Sequence, residues 1–492
     1  MLAARKDFSA SLENEVNQIT DSNYIINVQV GTPAQDIKLA IDTGSSDVWV
    51  LDSTSEACSS SLDTSSECET PFTSASSSTF KVVDPGEFDI TYADGTGAQG
   101  DYFTDVLSFG GQSLNAQTMG IATESTLSPG LLGIGYDQNE ASTAQNPPFV
   151  YSSVIDSLVS QGLISTKAYS LYLDDLQAST GSLLFGGLDS DKYQGNLVQM
   201  PIIPQTFGDQ SIYTAFIVDM TSFGTTSSGK STTVTQSSFQ IPVVLDSGTT
   251  LTYFPTSLMD EILTAVNGEI DKESQFAFVD CSVRDSSDTF TFDFGFGTSE
   301  SIVIKVPAAE LIYDADIFVG GQPNVNISNP CALGFMAQDG EPYVLGDNFL
   351  RSAYVVYDLK NNLIALGQTN FDSTTSSILD FPADATTIPV TSGVATSAVV
   401  EPSGNNGVSE SATPSTDGSG GVPTTFPDPF TLPSRTGNIL PTSDSTLSTS
   451  SSTSTHSTGP GSLTTPLDLG GLVVIGVSVF FAVLGSGLFL VF

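Results

Sequence analysis

A chain of 492 residues with 13 Lys and Arg against 55 Asp and Glu carries a formal charge of −42. That balance argues against nucleic acid as a partner and points to cationic substrates or an acidic working environment, with solubility alone the plainer explanation. The single histidine, His456, sits in a Ser/Thr-rich tail, so the rest of the chain holds no Ser-His-Asp triad, Cys-His pair or H-E-x-x-H zinc site. Acid and base work there falls to carboxylates, Tyr or Lys. The length allows two or three domains, and composition divides the chain near residue 372. Before that point it is strand-like and aromatic; after it, Ser, Thr, Pro and Gly dominate.

In chain order, residues 1–16 are polar and mixed in charge and are expected to be an N-terminal remnant. Met1 to Lys6 offers no signal-peptide apolar region, and Arg5-Lys6 fits a basic processing site. Apolar alternation over 24–30 predicts a half-buried strand, and Gly31-Thr32-Pro33 makes the turn. A second strand, with Ile37, Leu39 and Ile41, ends in Asp42-Thr43-Gly44-Ser45-Ser46. Residues 52–79 read as an exposed loop carrying Cys58 and Cys68. The stretch 88–92 turns at Ala93-Asp94-Gly95-Thr96-Gly97 and returns through Tyr102 to Phe109. Such a glycine-tipped hairpin suits a mobile cover or an ordinary surface element. Over 148–162, Val150, Val154, Leu158 and Val159 predict an amphipathic helix. A second helix is predicted over 257–266, capped by Ser257 with Asp260 and stopped by Gly268.

The acid turn returns in the second half as Leu245-Asp246-Ser247-Gly248-Thr249-Thr250. Each copy sets one acid at the end of an apolar strand, where Gly permits a sharp turn and frees amides to bond a carboxylate. Leu131-Leu132-Gly133 and Val344-Leu345-Gly346 each follow their acid turn, an internal duplication at the level of motifs. If the two turns face each other, like charges about 3 Å apart cannot both ionise, and the pair holds an acid and a base together.

These turns and their flanks, Val28-Gln29-Val30-Gly31-Thr32-Pro33-Ala34-Gln35 and the run from Ile41 to Trp49-Val50, resemble the pepsin family of aspartic endopeptidases. The resemblance continues through Ile90-Thr91-Tyr92, Gly95-Thr96-Gly97, Leu131-Leu132-Gly133, Phe185-Gly186-Gly187 and Leu345-Gly346-Asp347, over about residues 20–372. With its tail, the chain looks most like the fungal yapsins. The resemblance implies a mostly β, bilobal fold, with an N-terminal lobe at 17–190 and a C-terminal lobe at 191–372. Asp42 and Asp246 would be the catalytic pair, with Thr43 and Ser247 cross-bonding the turns. Ser45 and Thr249 would brace the outer carboxylate oxygens, and Gly44 and Gly248 would lie against the acids. Substrate would meet Gly44, Gly248, Thr249 and the flap residues Tyr92, Asp94, Gly95 and Thr96. Trp49 either clasps Tyr92 through its indole N–H or packs in the core. The flap departs from the family pattern by two residues, which leaves open which tip amides meet substrate. Cleavage beside Lys or Arg is implied as well. Asp94, with Asp52, Glu56, Asp63, Glu67 and Glu69 of the preceding loop, could supply the charge, or these acids are solvated surface. The four cysteines allow three pairings. Cys58 with Cys68 and Cys281 with Cys331 keeps one bridge in each half and agrees with bridges in pepsin-like enzymes; free buried thiols are the alternative.

Residues 373–466 hold too few large apolar residues to offset chain entropy and read as a disordered Ser/Thr/Pro-rich stalk. Residues 467–492 are almost wholly apolar, with Asp468 the only charge, and read as a GPI-attachment signal. Attachment is expected within 450–459, Ser457 being one candidate; a spanning tail anchor is the alternative. Asn326-Ile327-Ser328 is an N-glycosylation signal. No metal loop emerges, because Asp189-Ser190-Asp191 lacks the later Ca²⁺ ligands, and no cofactor is implied. The expectation is a monomeric aspartic endopeptidase of acidic working pH, cleaving extended peptides between its lobes. It would reach a fungal-type cell surface through the secretory pathway and stay there by a GPI anchor. A catalytically inactive pepsin-like binding protein and a structural wall mannoprotein are the alternatives.

Overall fold

The computed structural model describes residues 7–389, apart from 16–22, 56–57, 59–67, 69, 146–147, 179, 208–209, 286–289, 298–300 and 320–321, together with 393–394. The stalk beyond residue 394, the apolar tail and the proposed anchor site lie outside the described residues. Strands dominate, in one 14-stranded and one 8-stranded sheet with smaller sheets beside them. Among the described residues, no helix is long and apolar enough to cross a membrane.

The two acid strands show why the motif repeats. Gln35–Asp42 runs antiparallel to Asn23–Val30 and parallel to Gly130–Gly133, with Asp42 opposite Gly133. In the second half, Ile241–Leu245 runs parallel to Tyr343–Leu345, with Leu245 opposite Leu345. Each acid therefore sits where its strand ends beside a short apolar-Gly strand. Ile37, Leu39, Ile41, Val243 and Leu245 are buried, which anchors the acid tips in the core. The halves share the large sheet, where Ala168–Tyr172 pairs with Ala353–Asp358, Val355 opposite Leu171.

Both expected chain boundaries are corrected. Phe8–Glu15 is no remnant; it is a strand paired with Thr180–Phe185 on one side and Asn23–Val30 on the other. Phe8, Ala10 and Leu12 alternate into the core, so three small-to-large apolar residues suffice once two neighbours supply the ladder. At the other end, the stalk does not begin at 373. Ile378–Asp380 pairs with Gly187–Asp189, and Phe381 and Ile388 are buried. Asp189 fastens this strap by accepting from the Ser377 N–H at 2.7 Å and the Ser376 hydroxyl at 2.6 Å.

The helices are also adjusted. The first is Val154–Ser160, shorter than expected, started by Ser153, whose Oγ accepts from the Asp156 N–H. Val150 lies before it and is exposed. The second is Thr256–Val266, burying Leu258, Met259, Ile262, Leu263 and Val266 on one face. No Ser257–Asp260 cap forms, since Pro255 holds the N-cap position without a side-chain bond. Asn267 ends the helix in the left-handed region (φ 53°), and the Gly268 N–H then returns to the Leu263 carbonyl at 2.8 Å.

Cys58–Cys68 and Cys281–Cys331 are disulfide-bonded, the pairing expected. Among the described residues of the loop that holds the first bridge, Asp52, Ser55 and Phe72 are buried. Phe72 is fully buried and stacks on Phe103. Asn326 is exposed.

Candidate active site

The two acid turns meet. The Ser247 N–H donates to Thr43 Oγ1 at 2.9 Å, and the Thr43 N–H donates to Ser247 Oγ at 3.1 Å. The hydroxyls donate onward, Thr43 Oγ1 to the Leu245 carbonyl at 2.9 Å and Ser247 Oγ to that of Ile41 at 3.3 Å. Ser at 247 thus performs the same exchange as Thr at 43. Within each turn the acid receives two further donors. Asp42 Oδ1 accepts from the Gly44 N–H at 2.7 Å, and its Oδ2 accepts from the Ser45 hydroxyl. Asp246 Oδ1 accepts from the Gly248 N–H at 2.9 Å and its Oδ2 from the Thr249 hydroxyl at 2.7 Å.

The glycines are required by the partner acid. A Cβ on Gly44 would stand 2.5 Å from Asp246 Oδ1, and one on Gly248 would stand 2.5 Å from Asp42 Oδ1. Backbone of each turn thus lies against the carboxyl of the other. Both acids are buried. Burial lifts the pKa of both. On Asp246 the charge of Asp42 adds to burial and holds it well above the usual carboxylate range. Donors from Ser45 and Gly44 ease Asp42 downward, and those from Thr249 and Gly248 do the same for Asp246, so the proton belongs to the pair.

The hairpin of Lys81–Thr91 and Gly97–Phe109 carries Tyr92 at the base of its tip. Trp49 Nε1 donates to the Tyr92 hydroxyl at 2.9 Å, and both side chains are buried in one cluster with Phe88 and Tyr102. At the tip, the Gly95 N–H donates to the Tyr92 carbonyl and the Thr96 N–H to Asp94 Oδ1. Both amides expected to face substrate are therefore engaged inside the turn. Asp94 Oδ1 also accepts from Thr96 Oγ1 at 2.6 Å. Its Oδ2 is buried with no hydrogen-bond partner among the described residues. Burial raises the Asp94 pKa, and its charge bears on Tyr253 of the second half. Asp52 is turned inward, accepting from the N–H and hydroxyl of Thr54, whereas Glu56, Asp63, Glu67 and Glu69 lie outside the described residues.

Several buried polar groups around the turns have no sequence signal beyond their letter. Asp47 accepts from the Tyr151 hydroxyl and the Ala141 N–H, each at 2.7 Å, and from the Tyr102 hydroxyl at 3.3 Å. Asn139 Nδ2 donates to the Gly44 carbonyl at 3.1 Å. Burial, with the Asp47 charge beside it, pushes the Glu140 carboxyl up to about 10. Behind the second turn, the Asp347 N–H donates to the Thr249 carbonyl at 2.7 Å. The Asp347 carboxyl is buried without a hydrogen-bond partner among the described residues. Buried Arg351 draws its pKa down, but burial wins and leaves it well above the usual range.

Residues 23–369 match the family described as eukaryotic aspartyl protease. The chain is 37% identical over 407 residues to a probable aspartic-type endopeptidase opsB of Aspergillus fumigatus, covering 81% of each chain. It is 35% identical over 358 residues to secreted aspartic protease 3 of Candida albicans, covering 71% of this chain and 80% of that one. The fold is similar to that of a crystal structure of an aspartic proteinase from Irpex lacteus, with a TM-score of 0.57 at 22% identity. That likeness covers 75% of this chain and all of the other.

Proposed function

The chain belongs to the eukaryotic aspartyl protease family and is an aspartic-type endopeptidase, and from that premise we propose that Asp42 and Asp246 are its catalytic pair. The observation that carries this is the mutual approach of two buried carboxyls, each lying against the glycine of the other's turn, in turns that are cross-bonded through Thr43 and Ser247. The ionised member of the pair takes a proton from water as the oxygen attacks the scissile carbonyl carbon, the two acids being interchangeable in that role. Its protonated partner donates to the carbonyl oxygen, giving a gem-diol; as the C–N bond breaks, the proton taken from water passes to the leaving nitrogen and a diol proton returns to the partner acid. The turn amides and hydroxyls hold both carboxyls in place throughout, and the Tyr92 hairpin covers the cleft. The state needed is one proton on the pair, so activity is lost where pH is high enough to ionise both acids, and the working range lies below that point. Both acid turns come from one chain, which lets a monomer act.

Selectivity for basic residues is the finer part of this reading. Asp94, at the hairpin tip, has a buried oxygen without a hydrogen-bond partner among the described residues. A charge-assisted bond to a substrate ammonium or guanidinium is worth roughly 1.5–3 kcal/mol, about tenfold to a hundredfold in preference. Matched peptides with Arg or Leu before the scissile bond should show that preference in kcat/KM at acidic pH, and Asp94→Ala should remove most of it. A wild type that prefers Leu rejects basic selectivity. Preference for Arg retained in full by Asp94→Ala places its source elsewhere.

The setting is the secretory pathway, in keeping with two disulfides and a relative named as secreted. The small-residue spacer and apolar tail support a GPI anchor in the yapsin manner. Mature protein should then lack residues 472–492, and phosphatidylinositol-specific phospholipase should release it from membranes unless wall glycan already holds it. Mass-spectrometric detection of the intact apolar tail in mature protein rejects the anchor.

A further inference from the structure

Asp47 stands two residues before Trp49 and one after the catalytic turn, and none of its contacts belongs to the reaction just described. Its carboxylate gathers three elements. Oδ1 accepts from the hydroxyl of Tyr102, on the returning strand of the hairpin, and from that of Tyr151, near the start of the first helix. Oδ2 accepts from the Ala141 N–H, whose neighbour Asn139 holds the Gly44 carbonyl. The same segment reaches the other hairpin strand, where Gln145 Nε2 donates to the Glu87 carbonyl at 2.7 Å. The Asp47 carbonyl meanwhile accepts from the Gly133 N–H at 3.0 Å, fixing its own backbone to the strand behind the turn.

We propose that Asp47 is a positioning residue that ties the Tyr92 hairpin to the first acid turn. It does so through the hydroxyls of Tyr102 and Tyr151 on one oxygen and the Ala141 amide on the other. The Trp49–Tyr92 hydrogen bond fastens the hairpin near its tip, and Asp47 fastens it farther down, where Tyr102 packs edge-on against Phe88. Two fixed points along a ribbon set its angle over the cleft, whereas one leaves it free to swing. Three donors on one buried carboxylate also explain why an acid is tolerated at a position with no exposure. The inference rests on the reading of the hairpin as the cover over the pair.

Trp49 makes the test direct, because it is the only tryptophan in the chain and is fully buried. Its emission reports on the clasp without any need for turnover. Asp47→Ala should make that emission more accessible to acrylamide and raise KM for a peptide about tenfold, with kcat changed far less. If Asp47→Ala does not fold, Tyr102→Phe with Tyr151→Phe removes only the two hydroxyls and should move both readouts the same way, about threefold in KM. Parental quenching in a folded variant overturns the tie. Increased quenching with parental KM leaves the tie standing and rejects the hairpin as a substrate cover.

Discussion

Asp42→Asn and Asp246→Asn should each lower kcat by more than about a thousandfold while leaving the protein folded. An amide cannot take the proton from water, and it cannot share a proton with the opposite carboxyl. The fold should survive because the replacement is isosteric and its bonds can be remade. In Asp42→Asn the amide oxygen can keep the Gly44 N–H, and the amide nitrogen can donate to the Ser45 hydroxyl, which then acts as acceptor. The same exchange is open at Gly248 and Thr249 for Asp246→Asn. Substitution also removes a buried carboxyl, so thermal stability should not fall. Peptide analogues with a statine-type hydroxyl at the scissile position should block the wild type. Normal turnover by either folded variant would sink the catalytic assignment, and so would full activity under saturating inhibitor. A wild type with no peptidase activity would favour the pepsin-like binding protein or the wall mannoprotein instead.

Stability should be greatest in acid and fall steadily as pH rises. Asp42, Asp47, Glu140, Asp246 and Asp347 all have folded pKa values raised, with burial the largest cause in each. Unfolded, such groups titrate near 4. The native state therefore holds protons that the unfolded state has released, and stability falls with pH wherever that is so. The contribution is whole below about pH 4 and is lost through each raised value, up to about 10 for Glu140. Each fully mismatched group costs about 1.4 kcal/mol per pH unit, and several acting together make the slope steep. Melting temperature measured from pH 3.5 to 8 should decline throughout. Glu140→Gln should flatten the decline, because an amide keeps the acceptor for the Tyr151 N–H without a titrating proton. A flat or rising profile rejects the account, and an unchanged slope in Glu140→Gln removes Glu140 from it.

The acid turns were legible in the sequence because everything that defines them is local. An apolar strand, an acid, a hydroxyl residue and a glycine within six positions dictate a buried strand ending in a tight, amide-rich turn, and the second copy shows that two such ends exist. The hairpin followed from a similarly short-range pattern, whereas the Cys pairing rested on the family resemblance. Tertiary structure decided what depends on distant partners. Phe8–Glu15 and the strap around Phe381 and Ile388 carry few apolar residues and became part of the body because remote strands supply their ladders and their cover. Inside the hairpin tip the Gly95 N–H donates to the Tyr92 carbonyl and the Thr96 N–H to the Asp94 carboxyl, bonds that spacing does not reveal. Most of all, Asp47, Glu140 and Asp347 read as three more acids in a chain of 55 Asp and Glu. Whether a carboxyl meets water or a closed core is a property of the folded surroundings, and those surroundings alone give these three their raised proton affinity.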